Sequence, residues 1–351
     1  MIRIAVAGVG NCCSALVQGL HYYKEAGNPL GLIHEVVGGY RPSDIEIVAA
    51  FDIDRRKVGR DLSEAIFASP NVVPRTVDLP QLGVTVLRGP VLDGLGPLTR
   101  GLIEVESSEE ASSIADELKA RDVDILLSLI SGGAEQASRH YAAEALKAGC
   151  AFINATPAEI ACDASLAERF EVEGLPLIGD DLLDQVGATA VHMEILEFLN
   201  RRGVHIDESY QLDVGGGAES LDTLDRTRML KRRVKTEAVS SSVPYPFPLV
   251  SGSTDYVDFL GDKRESFLWV RGRYFSGAEL TMDIKMTTSD APNAGAVLVD
   301  VIRATKLAMD RGIGGVVIPI AAYGFKRSPK RYPISEAQRL FERFIGEPGG
   351  N

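Results

Sequence analysis

Lys231 and Lys235 stand four residues apart, which on a helix puts both ammonium groups on one face. Such a pair suits a small anion, a phosphate ester above all. Arg232 and Arg233 then point elsewhere, and a solvated basic face is the plainer account of the run. Lys326, in Ala322-Tyr323-Gly324-Phe325-Lys326, is a lone cation after a mixed apolar stretch. Asp180 and Asp181 follow Leu177-Ile178-Gly179, two acids at the carboxyl end of a strand. In open α/β sheets that end faces the ligand crevice; helix capping is the alternative for one of the two. Val6-Ala7-Gly8-Val9-Gly10-Asn11 lies between a strand and a helix, the setting of a dinucleotide loop. Glycines let the backbone approach a pyrophosphate, and the helix N-terminus favours its charge. Cys13 occupies the place of the third glycine, so the fingerprint is incomplete and a tight structural turn competes with it. Asp52 closes the second apolar strand, where a carboxylate takes the adenine ribose hydroxyls and disfavours a 2′-phosphate, which selects NAD over NADP. It arrives later than the usual spacing of ~20 residues, because 21–44 reads as an insertion.

Composition bounds these readings. A chain of 351 residues that is 45% hydrophobic can bury one large or two medium cores. No apolar run approaches the roughly 18 residues of a membrane span. Met1-Ile2-Arg3-Ile4-Ala5-Val6 runs straight into the glycine loop and reads as a first strand, not a signal peptide. Cys12, Cys13, Cys150 and Cys162 form neither a disulfide framework nor a zinc spacing, and a cytoplasmic protein is expected. His21, His34, His140, His192 and His205 show no metal-ligand spacing, and no metal is expected. There is no nucleophile elbow and no Walker loop. A net charge of −12 argues against nucleic acid or an anionic membrane as partner, so any phosphate site must gather its cations locally.

The elements that must carry these residues alternate. Strands are expected at 4–8, 45–51, 123–129, 151–154 and 177–179, with helices at 12–26, 54–66, 108–121 and 135–148. This is the pattern of a parallel α/β sheet. Near Gly203 the character changes: 209–214, 266–273 and 279–287 alternate like half-buried strands, with Leu280, Met282, Ile284 and Met286 on one face. A helix-prone stretch at 220–236 and a proline-rich one at 243–249 lie between them, and a long helix follows at 294–310. The expected fold is α/β: a Rossmann domain, 1–200 with 290–351, interrupted by an α+β insertion at 201–289. The glycine-rich end, 349–351, reads as loose.

Taken together, the motifs resemble those of the bacterial and archaeal inositol-3-phosphate (myo-inositol-1-phosphate) synthases over nearly the whole chain. The matching stretches are Gly8-Val9-Gly10-Asn11-Cys12 with Leu16-Val17-Gln18-Gly19, Ala49-Ala50-Phe51-Asp52-Ile53-Asp54, and Arg88-Gly89-Pro90-Val91-Leu92-Asp93-Gly94. Further on come Gly179-Asp180-Asp181 with Gln185-Val186-Gly187-Ala188-Thr189, Asp290-Ala291-Pro292-Asn293 and Asp310-Arg311-Gly312-Ile313-Gly314-Gly315. The resemblance implies tightly held NAD and a redox-neutral cyclisation of glucose 6-phosphate: hydride leaves C5, C6 is acidified and attacks the C1 aldehyde, and the hydride returns. It places Lys231, Lys235 and Lys326 on the phosphate and on the enolate and aldolate oxygens, with Asp290 and Arg264 beside them as catalytic candidates. It places Gly8, Gly10, Asn11, Cys12, Asp52, Asp180, Asp181, Asp184 and Glu219 at the cofactor. It also implies a homotetramer assembled through the sheet of the insertion.

The departures concentrate at the site. Leu183 and Asp184 stand where the family has Lys-Ser, which exchanges a cation for a carboxylate. The family's Gly-Gly-Asn-x-Asp-Phe becomes Gly216-Gly217-Ala218-Glu219-Ser220, a serine before Lys235 becomes Val234, and a lysine becomes Arg264, with Lys263 adjacent. Arginine holds phosphate but is a poor proton donor. Three readings stay open: the ordinary synthase, a paralogue that cyclises fructose 6-phosphate to a five-membered ring, and a non-catalytic NAD-binding regulator. A dehydrogenase that releases NADH is a further option, distinguished by absorbance at 340 nm.

Overall fold

The computed structural model describes residues 1–108 and 110–346. Its larger sheet holds β1 (Ile2–Ala7), β2 (Ile45–Asp52), β3 (Val86–Arg88), β4 (Ile125–Ser128), β5 (Ala151–Asn154) and β6 (Pro176–Ile178). Numbering along the chain, β7 (His205–Gly215), β8 (Leu249–Tyr256), β9 (Lys263–Tyr274) and β10 (Ala278–Ser289) form a second sheet, and β11 (Gly315–Val316) returns to the first. The first sheet is parallel in the order β11-β6-β5-β4-β1-β2-β3. Its strand order reverses between β1 and β4, the switch point where open sheets bind ligands. The helices are α1 (Asn11–Ala26), α2 (Leu62–Ala65), α3 (Ile114–Ala120), α4 (Glu135–Ala148), α5 (Ala164–Val172), α6 (Ala188–Arg201), α7 (Ala218–Asp222), α8 (Arg228–Ser240), α9 (Asp290–Asp310), α10 (Ile318–Gly324) and α11 (Ile334–Gly346).

Both faces of the parallel sheet are covered, so its strands are mainly apolar, with polar residues chiefly at their ends. In β1, Ile2, Ile4 and Val6 face one way, into a core with Leu16 of α1 and Leu298, Val301 and Ile302 of α9. Ala5 and Ala7 face the other, where Phe51, Tyr141 and Phe152 fill the space. The second sheet has the order β10-β9-β7-β8 and buries one face against α6 and α8 through Leu196, Ile206, Val239 and Val270. The long helix after it begins at Asp290 rather than Ala294 and packs back along α1.

Two expected helices are shorter. Only Leu62–Ala65 is helical within 54–66. Asp54 instead binds its neighbour Arg56 through Nε at 2.9 Å and Nη2 at 2.6 Å, and the cap is Asp61, which accepts from Ser63 N at 2.9 Å. The 108–121 helix is confined to Ile114–Ala120, and part of it, residue 109, lies outside the described residues, as does 349–351. The helical stretch over 220–236 becomes α7, a wide π-type turn at Thr223–Thr227, and α8.

Candidate active site

Strand ends of the parallel sheet and the edge of the insertion enclose one cleft of about 310 Å³. On the sheet side β1 delivers the glycine loop. Gly8 has φ +95°, and a Cβ there would lie 2.7 Å from the Leu129 carbonyl oxygen, so a side chain is excluded on two grounds. A Cβ on Gly10 would meet nothing, which leaves the backbone open to a ligand, and no side chain caps α1. The first-turn N–H groups of α1, from Asn11 and Cys12 onward, are therefore available to an anion. Asp52, at the end of β2, accepts from Val9 N at 2.7 Å through one oxygen and from Ile53 and Asp54 N at 2.7 and 2.9 Å through the other. Its carboxylate still lines the cleft beside the loop, and this donor and acceptor set fits a dinucleotide. Burial pushes the Cys12 thiol up, so it is an uncharged part of the wall.

The opposite wall carries the cations. Lys231 and Lys235 share one face of α8, whereas Arg232 and Arg233 are exposed. Lys231 Nζ lies 2.9 Å from Glu219 Oε1 and 3.6 Å from Asp181 Oδ1. Lys326 Nζ lies 3.3 Å from the same Asp181 oxygen and donates to the Leu182 carbonyl. Its place is set by a short antiparallel clasp in which Lys326 N donates to Asp181 O at 2.7 Å and Leu183 N to Gly324 O at 2.7 Å. Lys235 Nζ donates to Asp213 Oδ2 at 2.6 Å, and Arg264 Nη2 to Asp290 Oδ2 at 2.6 Å.

Burial opposes charge on several of the groups at this cleft, and their surroundings decide the outcome. It works against the Lys231 ammonium, but Asp181 and Glu219 outweigh it and hold that group above the usual lysine range. Confinement likewise raises Glu219, yet Lys231 and Arg264 bring it down to about 2. Asp181 and Asp213 are held below the carboxylate range by their lysines, against burial. Asp184 and Asp262 behave oppositely: burial, with Asp290 adding to it, raises Asp184 and pushes Asp262 up to about 6. Buried polar atoms without a partner include Asp181 Oδ2, Asp262 Oδ2 and Arg264 Nε. Three such atoms at one cleft are hydrogen-bonding capacity for a polar ligand.

Of the expected site residues, Gly8, Gly10, Asn11, Cys12, Asp52, Asp181, Asp184, Glu219, Lys231, Lys235, Arg264, Asp290 and Lys326 line this cleft together. Asp180 does not. It is fully buried and accepts from Asn154 Nδ2 at 2.8 Å and from Ile160, Ala161 and Cys162 N at 3.1, 3.0 and 3.2 Å. It therefore closes the 160–162 loop and caps no helix, since α6, which follows, has Gly187 at its N-cap and no side-chain cap. Neither the crevice reading nor the capping alternative describes it. Several residues escaped the sequence reading. Asp213 pairs with Lys235; its signal was the polar alternation Ser209, Gln211, Asp213 on the inward face of β7. Arg226 had no sequence signal: it donates to Asp222 Oδ1 at 2.7 Å, Asp93 O at 2.6 Å and Ser131 Oγ at 2.7 Å, tying the insertion to two sheet loops. His192 serves structure, buried between Ser209 Oγ at 2.7 Å and Gln211 Oε1 at 3.3 Å.

Comparison with known proteins identifies the family. Residues 187–291 match the family described as myo-inositol-1-phosphate synthase. The chain is 41% identical to inositol-3-phosphate synthase of Corynebacterium glutamicum, with 99% of this chain and 98% of that one covered. It is 41% identical to the protein of the same name from Mycobacterium tuberculosis, over 98% and 95% of the two chains. Among solved structures, Ari2 superposes with a TM-score of 0.77 at 31% identity over 99% of both chains. A myo-inositol-1-phosphate synthase-related protein from Thermotoga maritima shares the fold, with a TM-score of 0.79 at 23% identity over the full length of both chains. The cleft that joins a glycine loop to paired lysines is thus set in a chain that belongs to the inositol-3-phosphate synthase family.

Proposed function

We propose that this enzyme is an NAD-dependent cyclase that converts a hexose 6-phosphate to a cyclitol phosphate without net redox change, with glucose 6-phosphate as its substrate. The observation that carries this reading is the convergence of Lys231, Lys235, Lys326 and Arg264 on the cleft that also holds Gly8–Cys12 and Asp52. In a chain of net charge −12, that gathering suits a phosphorylated substrate beside a dinucleotide. Bound NAD supplies a reversible hydride acceptor for the C5 alcohol. The chain's own part is electrostatic. Lys231 and Lys326, held together by Asp181, present cationic N–H donors to the oxygen that becomes negative when a C6 proton leaves. Lys235, anchored by Asp213, and Arg264, anchored by Asp290, present further donors to the phosphate and to the C1 oxygen as C6 bonds to C1. Donors fixed before the reaction and shielded from water stabilise such charge without reorganising.

One feature favours a second reading. Asp184 lines the cleft near Lys326, Arg264 and Asp290, where it adds a carboxylate to the substrate region. That change of charge suits a different hexose phosphate, and fructose 6-phosphate closing to a five-membered ring follows the same aldol logic. Assembly as a homotetramer is part of the proposal, supported by the open face of the second sheet, where Tyr210 stacks on Trp269 at 5.5 Å and Phe267 is 40% exposed.

The test is direct: protein and NAD are incubated separately with glucose 6-phosphate and fructose 6-phosphate, and products are identified by phosphorus NMR and mass spectrometry. An inositol phosphate from glucose 6-phosphate is expected, with no steady rise at 340 nm. A branched cyclopentane phosphate from fructose 6-phosphate would establish the second reading. Bound NAD with no cyclitol phosphate from either sugar would overturn both in favour of a non-catalytic role or another substrate.

A further inference from the structure

Four cations lining the cleft have a carboxylate close by, at 2.9 Å for Lys231, 2.6 Å for Lys235, 2.6 Å for Arg264 and 3.3 Å for Lys326. Lys57 differs. It is 3% exposed, it lines the cleft at the glycine loop, and its nearest carboxylate, Asp52, stands 3.9 Å away. Its ammonium instead donates to the Val9 carbonyl at 2.7 Å and to Asn71 Oδ1 at 3.0 Å. A buried ammonium with neutral hydrogen-bond partners and its carboxylate at 3.9 Å, outside hydrogen-bond reach, is only partly compensated. An anion placed above the loop completes the compensation.

The same contacts fix the shape of the loop. Val9 donates its N–H to Asp52 and offers its carbonyl to Lys57 and to Asn71 Nδ2, the latter at 3.0 Å. Opposite charges thus hold the two ends of one residue between Gly8 and Gly10. Val72 N donates to Asn11 Oδ1 at 2.9 Å, which ties down the next side chain along. Within Gly8–Cys12 there is no cationic side chain.

We propose that Lys57 is the positioning residue of the dinucleotide loop, holding the Val9 carbonyl from beneath so that the following N–H groups face the pyrophosphate, and supplying the positive charge that the loop itself lacks. This rests on the NAD reading above.

The experiment is calorimetric titration of the full-length protein with ADP-ribose, which carries the pyrophosphate, and with adenosine, which does not. Wild type is compared with Lys57→Met, with Lys57→Gln, which keeps a donor for Val9, and with Lys57→Arg, which keeps the charge. In both neutral variants the Kd for ADP-ribose is expected to rise about tenfold or more, the loss of the positive charge beneath the pyrophosphate. Adenosine should bind as in wild type, and Lys57→Arg should restore most of the ADP-ribose affinity. An unchanged ADP-ribose Kd in a folded neutral variant would overturn the proposal. So would equal losses for both ligands, because a prop for the fold alone acts on both. Wild-type protein that bound neither ADP-ribose nor NAD would remove the NAD reading itself, a separate failure.

Discussion

On the proposed mechanism Lys231, which stands between two carboxylates, meets the developing charge, and Glu219, with 45% of its side chain accessible, has room to turn aside for the ligand. Lys231→Met is expected to lower kcat/KM for cyclitol phosphate formation by roughly 10²-fold or more, the usual cost of removing a donor to a developing oxyanion. NAD affinity should change little, and product quantification with a parallel titration checks both. His192 makes a different prediction. Burial lowers its pKa to about 4, against an unfolded value near 6.5, so the unfolded chain binds the proton first. Its neutral form therefore favours the fold fully above about pH 6.5, and that contribution declines as pH falls towards 4. Between pH 7 and 5 the loss is roughly 2 kcal/mol. Other groups titrate in the same window, so urea unfolding of wild type and His192→Gln is compared at both pH values. The variant should lose less stability, and equal losses would assign the acid sensitivity elsewhere.

At the scale of elements, the cleft is a joint between the carboxyl ends of parallel strands and the segment that runs from α7 into α8. Arg226 fastens that joint from the π-type turn, with Asp222 accepting from Ser131 Oγ at 2.6 Å and Gly133 N at 3.2 Å alongside it. A Cβ on Gly133 would lie 2.5 Å from the guanidinium, so glycine there gives Arg226 its room. Arg226→Ala is expected to cost about 2 kcal/mol of stability, since it strands buried acceptors. It should also raise KM more than it lowers kcat, because the cleft wall loosens while Lys231 and Lys235 keep their own anchors. Denaturant titration and steady-state kinetics measure the two effects. The elements themselves were legible in the sequence: β5 and α4 fall where they were expected, and α1 starts one residue early. The helix expected over 54–66 failed because an acid and an arginine two residues apart bond each other and shape a turn, a local competition that apolar spacing does not register.

For the whole molecule, the second sheet has a covered face and an open one. Tyr210, Phe267 and Val250 on the open side are 37%, 40% and 36% exposed. On the proposed tetramer this face is the contact between subunits, and Phe267→Glu should replace an apolar contact there with a hydrated carboxylate. Light scattering after size exclusion is expected to show a smaller particle than wild type with the fold intact by circular dichroism. An unchanged mass would move the contact to another surface. Among the described residues no helix is long and apolar enough to cross a membrane, which matches the absence of an apolar run in the sequence.

What the chain determined by itself is local. Strand and helix periods follow from neighbours within a few residues, and Gly8 sits where only glycine tolerates the turn. The inventory of acids and lysines could likewise be read in order along the chain. Which of those charges meet was a matter for tertiary structure. Lys235 finds Asp213 across 22 residues, Val9 finds Lys57 across 48, and Asp181 finds Lys326 across 145. Asp180 and its neighbour Asp181 were indistinguishable in sequence, yet one closes a loop and the other holds two lysines. The physical reason is that a buried charge needs compensation, by an opposite charge or by hydrogen bonds, while the choice of partner falls to chain topology, which brings distant residues to the same strand ends.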